Sequence, residues 1–168
     1  MIVLDENYDR VIKRLVEAAA SLRVGNPEAP GITVGPVIDE AAYRRILREQ
    51  PNNADALNFL GMLTCQTGNS EAAAELLSRS VKADANNPHA WLNFGNVLLL
   101  NGEKERALEA FEKTTQLAPK LPMAWFNLGV CLGRVRRPDE AASALHQALK
   151  LEPTNQAALE FRRKLRGM

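Results

Sequence analysis

Trp91 and Trp125 stand 34 residues apart, and the same interval returns through most of the chain. One step back from Trp91 is Leu57. Gly61, Gly95 and Gly129 keep the interval, as do Leu60, Phe94 and Leu128. So do Ala73, Ala107 and Ala141, and then Leu77, Phe111 and Leu145. Pro51, Pro119 and Pro153 share a register whose missing node is filled by Ala85. A period of this length marks one supersecondary unit repeated along the chain, each copy burying the apolar face of the next.

Within a unit the spacing is helical. Full repeats are expected at 54–87, 88–121 and 122–155, with first helices opening near Ala54, Pro88 and Pro122. Proline suits the first position of a helix, where its missing N–H has no intrahelical partner to lose. Each first helix carries a bulky residue, then Leu or Phe, then Gly. A mid-helix glycine costs about 1 kcal/mol, so its recurrence at 61, 95 and 129 predicts that another backbone passes close by. Ala73, Ala107 and Ala141 are the expected counterparts on the second helices, with Leu77, Phe111 and Leu145 filling the space one turn later. Gly68-Asn69-Ser70 and Asn101-Gly102 supply turns with residues able to end a helix in the left-handed conformation. The third turn, Val135-Arg136-Arg137-Pro138-Asp139, has no glycine and restarts the helix with Pro.

These residues in this period resemble the tetratricopeptide repeat (TPR). The resemblance implies an all-α, right-handed superhelix of antiparallel helix pairs. It comprises three repeats, a preceding half repeat at 39–53 and a capping helix at 156–168. Leu159 and Phe161 are the expected cover for the last repeat. Arg162, Arg163, Lys164 and Arg166 suit a solvated face and the negative end of the helix dipole. A nucleic-acid patch is the lesser reading of these bases, because no aromatic residues interleave with them.

The first fifty residues leave the lattice. Glu40 to Gln50 reads as a second helix, since Tyr43 and Pro51 lie 34 residues before Leu77 and Ala85. Its first-helix partner would fall at 20–34, where Gly25, Pro27, Pro30 and Gly31 forbid a helix. Upstream, Tyr8, Val11, Ile12, Leu15, Val16, Ala19 and Leu22 recur at three and four residues, an amphipathic helix over 7–24. The loop 25–38 is expected to wrap between that helix and the helix at 39–50. The helix would then substitute for the missing partner as an N-terminal cap over 1–38.

Tyr8-Asp9-Arg10-Val11-Ile12-Lys13-Arg14-Leu15-Val16-Glu17-Ala18-Ala19, Leu22-Arg23-Val24-Gly25-Asn26-Pro27 and Val34-Gly35-Pro36-Val37-Ile38-Asp39 resemble the aldehyde dehydrogenase superfamily, in its pyrroline-carboxylate dehydrogenase branch. In that family the segment follows the catalytic cysteine. Here no cysteine precedes Cys65, and no phosphate-cradling glycine loop is present. The reading is therefore non-catalytic, with no catalytic residue, cofactor site or metal site. The seam between the two resemblances lies at Ala41-Ala42-Tyr43-Arg44-Arg45-Ile46-Leu47, as at the junction of two genes, natural or engineered.

Composition narrows the remaining classes. The net charge of +1 gives no global field for nucleic acid or an anionic membrane. No apolar run reaches the ~18 residues of a membrane span, and the first residues lack the pattern of a signal peptide. The cytoplasm is the expected compartment, with Cys65 and Cys131 as buried free thiols. His89 and His146 have no second ligand one turn away. Oligomeric state stays open.

The expected function is a scaffold that binds a peptide or protein segment. First helices line the concave face of TPR arrays. Residues there that avoid the packing lattice are Asn58, Phe59 and Met62; His89, Leu92, Asn93 and Asn96; and Met123, Phe126, Asn127, Val130 and Arg134. Gln66, Leu100, Phe161 and Lys164 extend the row. Asn93 and Asn127 are lattice equivalents whose amides can donate and accept along a peptide backbone. Trp91-Leu92-Asn93-Phe94-Gly95 and Trp125-Phe126-Asn127-Leu128-Gly129 resemble the repeats of O-linked N-acetylglucosamine transferase, where such asparagines form a ladder. The other reading of these amides is solvated or helix-capping. As residues outside the predicted core, their removal is expected to leave folding unchanged. TPR domains that grip a terminal carboxylate carry cations in the register occupied here by Asn58, Met62, Asn93, Met123 and Asn127, and this chain has none. The alternative functions are an inactive or regulatory dehydrogenase fragment on a repeat array, or the targeting part of a larger transferase.

Overall fold

The computed structural model describes residues 40–165. The expected helix over 7–24 and loop 25–38 lie outside these residues. Eight helices follow one another: α1 (Glu40–Glu49), α2 (Ala54–Gln66), α3 (Ser70–Ala83), α4 (Pro88–Leu100), α5 (Lys104–Leu117), α6 (Pro122–Arg134), α7 (Pro138–Leu151) and α8 (Gln156–Leu165). There is no strand among the described residues.

Local chemistry sets the helix ends. Asn53, Asn69 and Asn87 precede α2, α3 and α4, and each side-chain oxygen accepts from a first-turn N–H. Asn155 does the same for Ala158 N at 3.0 Å. Such caps contribute about 0.5–2 kcal/mol each. Asn53, Asn87 and Asn155 occupy one register of the 34-residue lattice, and Leu121 fills its remaining node without a side-chain cap.

The three turns inside the helix pairs share one geometry. Gly68 N donates to Cys65 O at 3.0 Å and Asn69 N to Thr64 O at 3.2 Å. The same crossed pair of bonds recurs at Gly102–Glu103 and at Arg136–Arg137. This is the Schellman closure, which needs its central residue left-handed. Gly68 and Gly102 have φ of 89° and 81°, and Arg136 has φ of 61°. The third turn therefore makes the same closure without glycine, at the strain a side chain brings to that region.

Three-residue turns fold each pair, α2 with α3, α4 with α5 and α6 with α7, into antiparallel contact. The glycines permit the approach, though the partner differs from the expected backbone. A Cβ on Gly61 would lie 2.8 Å from Leu77 Cγ, and one on Gly129 would lie 2.8 Å from Leu145 Cγ. On Gly95 it would lie 2.6 Å from Phe111 Cε1. Each glycine is thus a socket for the bulky side chain of the second helix. The Ala73 and Ala141 carbonyls stand just behind in two of the repeats, at 3.4 and 3.2 Å. Leu77, Phe111 and Leu145 are fully buried, as are Ala73, Ala107 and Ala141.

Neighbouring pairs stack through α3 on α4 and α5 on α6. The first helices also meet directly, α2 with α4, α4 with α6 and α6 with α8, whereas the backbones of α3, α5 and α7 stand farther from one another. An array whose first helices converge and whose second helices diverge curves toward the first helices. Their outward-facing side chains consequently line its concave side.

Trp91 Nε1 donates to Ala85 O at 2.9 Å and Trp125 Nε1 to Pro119 O at 2.8 Å, tying each first helix to the linker before it. Leu57 has no donor, and the equivalent carbonyl of Pro51 accepts from Arg79 Nη2 at 2.8 Å instead. At the far end, Ala158 is fully buried, and Leu159, Phe161 and Leu165 of α8 pack on Leu145 and Leu149.

Two stability changes follow. Gly95→Ala forces the Phe111 ring to move and should destabilise the fold by ~1–3 kcal/mol, read as a lower melting temperature. An unchanged melt would mean that the ring has space the structure does not contain. Arg136→Gly should act oppositely and stabilise by ~1 kcal/mol by relieving the left-handed backbone. A drop in urea midpoint for Arg136→Gly would show that the arginine side chain contributes more than its backbone costs.

Candidate functional site

The sequence-selected residues fall on α2, α4 and α6, in four distinct settings. His89 and Arg134 are exposed, and Phe59 and Met123 are 48% and 47% exposed. Met62, Leu92, Asn93, Asn96, Phe126, Asn127 and Val130 are half-buried. Asn58 is buried, at 6%. Gln66 and Leu100 are exposed, Leu100 to 70%. Three of the four large hydrophobics exposed among the described residues, Phe59, Leu100 and Met123, lie one on each first helix.

The asparagines do more than face solvent. Asn93 Nδ2 donates to Asn58 Oδ1 at 3.0 Å, bridging α4 to α2. Asn127 Nδ2 donates to Asn96 Oδ1 at 2.8 Å, bridging α6 to α4. The separations are 35 and 31 residues. Neither equals the repeat, so a search along the lattice passes over both pairs. The expectation that Asn93 and Asn127 leave folding untouched is corrected: each links adjacent first helices. Asn58 is corrected likewise, since burial and its partner withdraw it from the surface.

These bonds leave each donor amide only partly used. An amide has two N–H groups and two lone pairs. Asn93 and Asn127 each spend one N–H on the neighbouring helix, which fixes the side chain and keeps its acceptor oxygen available. Phe59 stacks on Tyr43 of α1, with ring centroids 5.6 Å apart and planes 16° apart. Phe126 packs against the Leu145, Leu149 and Ala158 cluster, so it also anchors α8.

Charge is segregated between the helix sets. Of Asp, Glu, Lys and Arg, the three first helices hold only Asp55 and Arg134. The three second helices carry thirteen charged residues. At the start of α5, Arg106 pairs with Glu103 and also lies over the Phe94 ring at 5.7 Å. Arg137 grips Glu140 through two bonds of 2.6 Å and holds its carboxyl below the usual range.

Cys131 is buried, and burial pushes its thiol upward, away from the nucleophilic thiolate. Cys65 is only half-buried, unlike the expected buried thiol. Among the described residues no group of three or more His, Cys, Asp or Glu side chains is placed to hold a metal. No described helix is long and apolar enough to cross a membrane.

Residues 1–65 match the aldehyde dehydrogenase family and residues 40–92 a tetratricopeptide repeat. The 1-pyrroline-5-carboxylate dehydrogenase of Anoxybacillus flavithermus is 45% identical over 47 residues, which is 28% of this chain and 9% of that enzyme. That of Geobacillus sp. is 41% identical over 46 residues, 27% of this chain and again 9% of the enzyme. The chain thus spans about a tenth of the length of these relatives. The fold is shared with YrrB, described as a TPR protein with an unusual peptide-binding site. YrrB is 25% identical, with a TM-score of 0.68 over 74% of this chain and 64% of its own. The first TPR of Spaghetti (RPAP3), solved bound to the HSP90 peptide SRMEEVD, shares the fold at 21% identity. Its TM-score is 0.66, over 68% of this chain and 90% of its own. Residues 67–164, more than half of the chain, match the Cilia and flagella-associated protein 70 middle TPR-like domain, and the chain belongs to that TPR-like family.

Proposed function

We propose that this protein is a non-catalytic scaffold that holds an extended peptide segment against the concave side of α2, α4 and α6. The observation that carries the reading is the division of labour between helix sets. The first helices converge, are almost free of charge, and each exposes one large hydrophobic residue. Charged side chains collect on the second helices. A surface of this kind, left apolar on the inside of a curve, marks an interaction site.

Asn93 and Asn127 supply the polar contacts in this reading. Each is already oriented by its neighbour, so little side-chain freedom is lost when a ligand binds. The remaining amide groups suit a peptide backbone, which offers alternating donors and acceptors. Leu92, Met123, Phe126 and Val130 provide apolar contact beside them. Of the neighbours above, one was solved with a peptide bound and another is described as having a peptide-binding site, which supports the same use of the fold. The dehydrogenase-like segment adds no activity in this reading, because about nine-tenths of that enzyme has no counterpart here.

Peptides selected from a random library on the full chain provide the probe. Asn93→Ala/Asn127→Ala should weaken their binding roughly ten- to a hundredfold, two hydrogen bonds of ~0.5–1.5 kcal/mol each. The same double variant should lose ~1–3 kcal/mol of folding stability, because it also removes both bridges between first helices. Binding is therefore titrated well below its melting temperature. Selected peptides that bind the double variant as tightly as the parent would move the site off this face.

A further inference from the structure

The groove is not electrically uniform from end to end. Its body carries little charge: Asp55 lies in the first turn of α2, α4 has no Asp, Glu, Lys or Arg and one histidine, His89, and Arg134 lies in the last turn of α6. Past Arg134 the sign becomes positive. Arg136 is exposed in the next turn, and α8 carries Arg162, Arg163 and Lys164 in its last turn. The C-terminal turns of α6 and α8 meet, since a Cβ on Gly133 would lie 3.0 Å from Phe161 Cζ and 3.5 Å from Leu165 Cδ2. Arg134 follows Gly133 and Lys164 precedes Leu165, so two exposed cations flank one contact. Lys164 is also the lattice successor of Asn96 and Val130, on the row that faces the groove.

Ion pairing does not absorb these cations. The pairs among the described residues are Arg44–Glu40, Arg106–Glu103 and Arg137–Glu140. Of the nearby acids, Glu140 is held by Arg137, and Asp139 lines a cleft with His146, Arg162 and Leu165. Glu160, one turn before Lys164, is a single exposed carboxylate against Arg134, Arg136 and Lys164. A base near a helix C-terminus is favourable in itself. The array does not require one there, however: α2 and α4 end in Gln66 and Leu100 at the register of Arg134.

We propose that the segment held in the groove is uncharged where it crosses α2, α4 and α6 and acidic at the end over Arg134 and Lys164. The ligand then binds in one direction only. This rests on the groove reading above. Arg134 stands outside the register of residues 58, 62, 93, 123 and 127, and Lys164 continues the register of Met62 onto α8, past the three repeats, so the two cations form an anchor apart from those five positions. Adjacent helices pack about 8–10 Å apart. Four first-position helices therefore span roughly 30 Å, or about nine extended residues.

The test uses the full chain and synthetic peptides of about nine residues, with one Leu-, Met- and Asn-containing body. They carry two aspartates at the N-terminal end, at the C-terminal end, or not at all. Fluorescence anisotropy should show one acidic version binding about fivefold more tightly than the neutral one. The preference should vanish as salt rises from about 0.1 M to about 1 M, where the Debye length shrinks from ~10 Å to ~3 Å. Arg134→Ala/Lys164→Ala should bring the acidic-to-neutral ratio close to one, with an unchanged helical spectrum. Equal binding of all versions, or a preference that survives the double variant, overturns the acidic anchor and leaves the groove standing. If neither these peptides nor library-selected ones bind, the groove reading itself fails, and this inference with it.

Discussion

Everything in the array depends on three sockets. Gly61, Gly95 and Gly129 each give up a side chain so that Leu77, Phe111 or Leu145 can enter the helix opposite. The glycine weakens its own helix by about 1 kcal/mol. Burying a Leu or Phe side chain contributes about 1.5–3 kcal/mol. The exchange is favourable once per repeat, and it fixes the distance within every pair. With that distance set, Trp91 and Trp125 can reach the preceding linkers, and the first helices can meet at all.

The repeats satisfy common needs by different chemistry. The carbonyl before each first helix requires a donor, met by Trp91, by Trp125 and, where Leu57 has none to give, by Arg79. The closing turn requires a left-handed residue, met by Gly68, Gly102 and a strained Arg136. The first-helix N-terminus accepts an asparagine cap at 53, 87 and 155 but proceeds without one at Leu121. Proline at N1 of α6 reduces the need there, because it removes one of the unpaired N–H groups. Such substitutions show which demands are set by the geometry and which belong to a residue type.

This distinction explains how much was legible in the sequence. Contacts within one repeat connect positions at constant offsets, so the 34-residue period carried the helices, the sockets and the Ala registers directly. Contacts between repeats connect different positions. Asn58 with Asn93 and Asn96 with Asn127 are separated by 35 and 31 residues, and neither pair repeats elsewhere. Those asparagines therefore read as free surface amides, although they bridge helices. At 135–137 the sequence has no glycine, yet position 136 adopts the geometry of 68 and 102, and Pro138 restarts the helix as its sequence indicates. The asparagine caps were visible in the same lattice and carried the signal that finds them. For the residues before 40 the period is silent, and their sequence instead follows the aldehyde dehydrogenase family.

The arrangement of charge bears on how the concave face can serve as a binding surface. Solubility demands charged residues somewhere, and within the six helices of the three repeats the second helices supply thirteen of the fifteen Asp, Glu, Lys and Arg side chains, on the outside of the curve. The inside is released to hold Leu, Met, Phe and Asn. It is not wholly released from folding, because Asn93 and Asn127 belong both to the links between first helices and to the proposed contact with a peptide. A substitution that loosens those links also disorders the amides that would meet the ligand, so affinity and stability fall together at these two positions. At Met123, which is exposed and carries no such link, the two properties are free to change separately. Within this face, then, the apolar positions are where ligand preference can shift without loss of the array, and the asparagine pairs are where it cannot.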